Sequence, residues 1–382
     1  MAAWDLADMF STQRRAAVLQ GGSVMTFGDG SRKSSAVALL GKGLTPGKLR
    51  GLGRIANPNG TLTMLALDQN NSVISMGGEV LKRSGEDREP SYEEVVEIKL
   101  DLMRNLAPAA SGVLIDPYYG AWSAIASGAI PPEKGLLVRL ERTKYEISAR
   151  GAPLAKIEPG WSVEKAKLMG ADGVKFLIQF EPTEPHSAEA NFAIAERVYE
   201  ECKKHDLLLL LETVAFPFDG EKRSDASFLD RKAATVIESA RLMSRYCDVY
   251  KAEFPGWLDR DEDAQLEDNL LALDAVCERP WVLLSAGVEY AAFFEQVQMA
   301  TRAGASGVLG GRAFWKEYFQ QPDAASRTKF AATTARGRLA EVDAHVQAEA
   351  SPWFARYGLT REDLGSIRAV EGWHLRYPNN GA

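Results

Sequence analysis

The chain is short of cysteine and histidine, with three Cys and four His in 382 residues. Cys202, Cys247 and Cys277 have no paired spacing, so neither a disulfide framework nor a zinc knuckle is indicated, and a reducing cytoplasm is the expected setting. His186, His205, His345 and His374 are scattered, without an HExxH pattern, which leaves a metal-dependent lyase without its usual ligands. The expectation is no metal and no cofactor. Long apolar runs are absent too: nothing approaches the ~18 residues of a membrane span. The stretch "AAVLQGGSVM" after Arg14 and Arg15 is too short and too broken by glycine for a secretory segment.

Positive charge is in deficit. With 45 Lys and Arg against 52 Asp and Glu, the net charge of −7 supplies no general field for nucleic acid or an anionic membrane, so any anionic ligand must be caught locally. "GKGLTPGKL" fails the phosphate-loop spacing, and "GDG" at 28–30 is not a dinucleotide fingerprint.

What the chain does have is regular alternation. Eight short apolar runs, at 61–68, 111–118, 135–141, 172–180, 207–216, 248–254, 281–287 and 306–313, alternate with segments of helical period such as "SYEEVVEIKLDLMRNLA" and "RKAATVIESARLMSRY". That pattern belongs to a parallel-sheet α/β protein, and eight strands predict a (β/α)8 TIM barrel, with a doubly wound open sheet as the alternative. The barrel is expected over 44–353. Residues 1–43, rich in Gly and Ser after a short amphipathic stretch, read as an N-terminal extension. Residues 354–382 form a C-terminal tail, after a charged helical stretch, in which Phe354, Tyr357, Trp373 and Tyr377 follow closely on Trp353. Such aromatics point to docking on the barrel or across a two-fold contact in a homo-oligomer.

Barrel active sites lie at the C-terminal ends of the strands. There the first run ends at Asp68, the fourth carries Lys175, the fifth Glu212 and the sixth Lys251, while the seventh ends in Ser285, Ala286 and Gly287 and the eighth in Gly310, Gly311 and Arg312. Lys251 stands in "DVYKAEF", where a buried strand should avoid an ammonium. A lysine desolvated among apolar groups or placed near another cation has a lowered pKa, and the neutral amine attacks carbonyls to form an imine. On that reading Lys251 is the Schiff-base lysine, Lys175 its cationic neighbour, and Glu212 and Asp68 move protons. Ser285, Gly287, Gly310 and Arg312 occupy the place where barrels bind phosphate. Each residue also has an ordinary explanation: a strand lysine can be ion-paired in the core, Glu212 can neutralise it, Asp68 can cap a helix and the glycines can be turn residues.

The stretches "GKLRGLGRIANPNGTLTMLALDQ", "ERTKYE", "WSVEKAKLMGADGVKFL", "LLLLETVAF", "DVYKAEFP", "VLLSAGV" and "AGASGVLGGRAFW", in that order, resemble the tagatose-bisphosphate aldolase family of class I aldolases. The resemblance spans about 44–353. It implies a metal-independent lyase that cleaves a ketose phosphate or bisphosphate to dihydroxyacetone phosphate and an aldehyde, with the family's Schiff-base lysine falling on Lys251. The second active-site lysine falls on Lys175, the proton-transferring glutamate on Glu212, the N-terminal aspartate on Asp68, and the phosphate loops on 285–287 and 310–312. The similar sulfofructose-phosphate aldolases are an alternative, and a non-catalytic sugar-phosphate sensor is one of another class. "NNSV" after Gln69 and "TVAFPFDGEKR" after Glu212 depart from the family pattern, and both loops are expected at the far end of the substrate.

Overall fold

In a computed structural model, the structure describes residues 36–148, 151–218, 220–369, 371–375 and 377. Eight parallel strands close into a barrel: β1 (Leu62–Leu67), β2 (Gly112–Ile115), β3 (Gly135–Arg139), β4 (Gly173–Gln179), β5 (Leu208–Val214), β6 (Val249–Ala252), β7 (Trp281–Leu284) and β8 (Gly307–Gly310). Each strand pairs with its neighbours in sequence, and β8 closes on β1 with Leu62 opposite Gly307. Helices between the strands form the outer ring. Tyr92–Leu106, for example, starts in a capping box made by Ser91 and Glu94. A long helical run from Ala324 to Glu349 completes the ring beyond β8.

Period-2 alternation divides each strand between two environments. One set of side chains packs outward against the helices. The other faces the lumen, where Leu62, Met64, Leu137, Leu208, Leu210 and Val249 form an apolar lower layer. Two residues further along their strands, the same inward face turns polar: Arg139 follows Leu137, Glu212 follows Leu210 and Lys251 follows Val249. The strand ends therefore deliver charged groups to one point above an apolar plug.

The bottom of the barrel is closed by helix Pro46–Ile55, which opens on Thr45 as its cap and Pro46 in its first turn. Leu52 and Ile55 enter the lower layer. Lys48 Nζ reaches Asp248, just before β6, at 2.6 Å, and Arg54 reaches Asp172, just before β4, at 2.9 Å. Asp248 and Asp172 also accept the backbone amides of Leu209 and Leu136, each at 2.9 Å, so the helix is tied to the strand starts.

Residues 1–35 of the proposed extension lie outside the described residues. Helix Ala36–Gly41 does not stand apart from the barrel: Leu39 is 2% exposed in the lower apolar cluster, and Lys42 Nζ donates to the Tyr357 carbonyl at 2.7 Å. The body of the fold thus begins before Leu44, because the barrel floor needs apolar cover that the first strands do not supply. The start of the tail docks on the same floor. Trp353, Phe354, Tyr357 and Leu359 are buried there, and the Trp353 amide donates to the Gly60 carbonyl at 2.9 Å. Gly60 has φ +92, and a Cβ on it would come within 2.6 Å of the Phe354 ring, so glycine is required at that contact.

Truncating Lys48 leaves Asp248 charged and buried. Lys48→Met is expected to cost about 3–5 kcal/mol in urea unfolding, whereas Arg302→Ala, at the exposed pair with Glu267, should leave the midpoint unchanged.

Candidate active site

Lys175, on β4, is the centre of the polar layer. Its Nζ lies 2.6 Å from Glu141 at the end of β3, 3.0 Å from Glu212 on β5 and 3.1 Å from Asp68 at the end of β1. All four side chains are at most 7% exposed. Register explains the convergence: Leu177 is paired with Glu212 and Glu212 with Lys251, so successive strands present their inward residues at neighbouring heights.

Lys251 Nζ lies 3.0 Å from Glu212 Oε2, the same oxygen that faces Lys175. Oε2 is thus in ionic contact with both amines at once. Burial works to raise the Glu212 pKa, but Lys175 and Lys251 outweigh it and hold the carboxyl below its ordinary value. For Asp68, burial is likewise overcome by Lys175, Lys251 and Arg139, and its pKa falls to about 2. Burial pulls the Lys175 pKa down, yet Asp68, Glu141 and Glu212 drive it well above normal, which makes Lys175 a permanent cation. Glu141 goes the other way: burial raises it despite Lys175 and Arg139.

The sequence reading missed Glu141 and Arg139. Arg139 Nη1 donates to the Asp68 carbonyl at 2.7 Å and fixes the end of β1, while Glu141 accepts from Lys175 and, through its second oxygen, from the Leu177 amide at 3.1 Å. Their signal was the alternation in "GLLVRLE", where Leu137, Arg139 and Glu141 share one face.

Lys251 and Glu212 border two adjoining cavities. One, of about 410 Å3, extends under the loops after β7 and β8 to Ser285, Gly287, Gly311 and Arg312. Ala286 and Gly287 both have positive φ, at +45 and +78, and a Cβ on Gly287 would come within 3.0 Å of the Arg312 guanidinium. The missing side chain lets Arg312 lie against the loop. Gly310 is placed differently from Ser285, Gly287 and Arg312, with which it was expected to bind phosphate: it belongs to β8, where a Cβ would meet the Phe314 ring at 2.5 Å, and Gly311 is the residue that reaches the cavity.

The other cavity, about 240 Å3, opens toward the loops after β1 and β3, past Ser72, Arg142, Thr143 and Tyr145. Arg312 borders both and donates to Ser72 Oγ at 3.3 Å. The departing loop after Gln69 reaches this second cavity through Asn71 and Ser72. The Asn70 side chain is bound to Lys99 at 2.7 Å and to Asp116 at 3.4 Å in a buried cluster that also ties Lys99 to the Leu67 carbonyl. The departing loop after Glu212, expected with the other at the far end of the substrate, instead contributes Arg223 to the first cavity.

The eight-stranded barrel is shared with solved aldolases of little sequence likeness. The fructose-bisphosphate aldolase of Plasmodium falciparum superposes with a TM-score of 0.60 at 10% identity, over 80% of this chain and 95% of that one. That of Slackia heliotrinireducens gives 0.55 at 16%, over 80% and 91%. Sequence likeness is closer to tagatose 1,6-diphosphate aldolases: that of Lactococcus lactis is 30% identical over 330 residues, covering 81% of this chain and 98% of the relative. That of Staphylococcus haemolyticus is 30% identical over 335 residues, covering 81% and 98%. The sequence profile of the DeoC/LacD family aldolases matches residues 63–317, from the first barrel strand to just past the eighth. With the family profile matching residues 63–317 and a relative 30% identical over 98% of its own length, the chain belongs to the DeoC/LacD family of aldolases.

Proposed function

We propose that this aldolase works through an imine on Lys251 and cleaves a ketose 1,6-bisphosphate of the tagatose type to dihydroxyacetone phosphate and a phosphorylated aldehyde. The observation that carries the reading is the placement of Lys251 Nζ, 3.0 Å from Glu212 Oε2, where the two cavities meet. A carbonyl bound there has an amine on one side and a carboxylate within reach of the same atoms, the pairing that nucleophilic catalysis by lysine needs.

The two cavities suit a substrate with an anion at each end. The 1-phosphate would lie against Ser285, Gly287, Gly311 and Arg312, in the usual phosphate place of the barrel. The distal phosphate would lie toward Arg142 and Ser72. With C2 at Lys251, the amine attacks the ketone, water leaves, and the protonated imine becomes an electron sink. Glu212 then takes the proton of the C4 hydroxyl as the C3–C4 bond breaks, releasing the aldehyde. The enamine left on Lys251 is protonated at C3 and hydrolysed to dihydroxyacetone phosphate. Lys175 keeps Glu212, Asp68 and Glu141 in place throughout, since its own charge is permanent.

Borohydride added with dihydroxyacetone phosphate should leave a stable mass on the peptide containing Lys251; labelling of Lys175 instead would sink the assignment. The retro-aldol rate on tagatose 1,6-bisphosphate, fructose 1,6-bisphosphate and sulfofructose 1-phosphate then ranks the substrates, and a sulfonate ranked first would overturn the bisphosphate reading. Glu212→Gln is expected to slow turnover by roughly a hundredfold with binding kept; an unchanged rate would make Glu212 structural. Arg312→Ala should weaken kcat/KM for phosphorylated substrates by about 1.5–3 kcal/mol, while an unphosphorylated analogue reacts equally with both proteins.

A further inference from the structure

A third cavity, of about 260 Å3, adjoins the second on the side away from Ser285 and Gly287. Asn71, Arg139, Arg142 and Thr143 border both, so the space that starts at Lys251 continues from one into the other. A six-carbon bisphosphate does not need it: its 1-phosphate is assigned to the first cavity, and its three-carbon aldehyde half, phosphate included, to the second. The third cavity is as large as the second and has no occupant in that scheme.

Its walls are fixed before any ligand arrives, which is what keeps the cost of binding low. After β2, Asp116 Oδ1 accepts the amides of Tyr118 at 3.0 Å and Tyr119 at 2.7 Å, and the Tyr92 hydroxyl donates to the Tyr118 carbonyl at 2.7 Å. The three tyrosine rings pack with centroids 4.7 to 5.4 Å apart. Opposite them, after β3, the Arg142 amide donates to the Lys156 carbonyl at 2.8 Å and the Glu158 amide to the Leu140 carbonyl at 2.9 Å. The side chains on this frame are another matter. Among the described residues, those of Asn71, Arg142, Thr143 and Lys144 have no hydrogen bond or ion pair. Arg139, Arg142 and Lys144 border the cavity against one carboxylate, Glu158, so the balance favours an anion. The Asn71 amide and the Thr143 hydroxyl suit hydroxyl groups, and the tyrosine rings offer an apolar surface to the carbons that carry them. Together these match a hydroxylated carbon chain that ends in phosphate.

We propose that the third cavity is a subsite for ketose bisphosphates longer than six carbons, whose aldehyde half runs past Arg142 and sets its phosphate against Lys144; the proposal rests on the reading of the substrate as a ketose bisphosphate held at Lys251. The bond chemistry is the same for every length. The C3–C4 bond breaks, its electron pair passes into the imine to give the enamine, the C4 hydroxyl proton goes to Glu212, and the aldehyde leaves with whatever lies beyond C4. Arg142 borders both cavities and therefore serves either length, meeting the phosphate of a short aldehyde and the hydroxylated chain of a long one. Extra carbons have no room in the other direction, where the apolar layer of Leu137, Leu210 and Val249 fills the lumen.

The test compares cleavage of fructose 1,6-bisphosphate and sedoheptulose 1,7-bisphosphate, which share their configuration at C3, C4 and C5 and differ in length. In the wild type, kcat/KM for the seven-carbon substrate should lie within roughly tenfold of that for the six-carbon one. Lys144→Glu reverses a charge that borders the third cavity and not the second. It should lower kcat/KM for the seven-carbon substrate by on the order of tenfold or more, with the six-carbon value kept. Lys144 is exposed; should the variant nevertheless fail to fold, Ile74→Phe, which narrows the third cavity from helix Asn71–Arg83, serves in its place with the same expected selectivity. A seven-carbon rate far below the six-carbon one in the wild type, an equal loss on both lengths in the variant, or no loss on either overturns the subsite, and leaves six-carbon cleavage and borohydride labelling of Lys251 standing. Cleavage of neither bisphosphate, with no label on Lys251, overturns the underlying reading of the substrate instead.

Discussion

An ammonium group enclosed by protein costs several kcal/mol to desolvate, and Lys175 is tolerated at the barrel axis because three carboxylates meet it within 3.1 Å. Those carboxylates come from the ends of β1, β3 and β5, so the cluster exists only once the barrel has closed. The dependence also runs the other way. A slip of one residue in any of these strands would turn its charged side chain outward among the helices, where Leu65, Val138 and Leu211 now pack. Register and electrostatics are therefore coupled, and the geometry around Lys251 is inherited from both.

The two ends of the barrel divide stability from chemistry. At the bottom, apolar side chains from the strands, from helix Pro46–Ile55 and from the start of the tail make one cluster, tied down by Lys48 with Asp248 and Arg54 with Asp172. At the top, the same alternation brings in Arg139, Lys175, Glu212 and Lys251. The lower layer lets the upper one be polar, because a rigid apolar floor holds groups that would otherwise relax toward water.

Four buried carboxyls around this site do not behave alike. Asp68 and Glu212 are surrounded by cations strongly enough to overcome burial; Glu141 and Glu253 are not, and burial raises both. The side chains are chemically near-identical, so the difference lies in how the cations each one faces balance its burial.

The barrel was legible because its signals are local: short apolar runs set off by helical segments, with polar residues where each run ends. Lys251, Lys175, Glu212 and Asp68 stand out for the same reason, as charges where a buried strand should have none. Glu141 and Glu253 carried the same period-2 signal and were passed over, since each stands beside a more conspicuous cation. Composition and alternation by themselves determined an eight-stranded α/β fold with charges at one end, because side-chain direction along a strand follows from backbone geometry. Only the tertiary structure decided which charges touch, that Gly311 and not Gly310 reaches the cavity, and that Leu39 and the start of the tail cover the floor. Those contacts join residues up to 315 positions apart, as Lys42 joins Tyr357, and strand order and closure, which no local pattern encodes, bring them together.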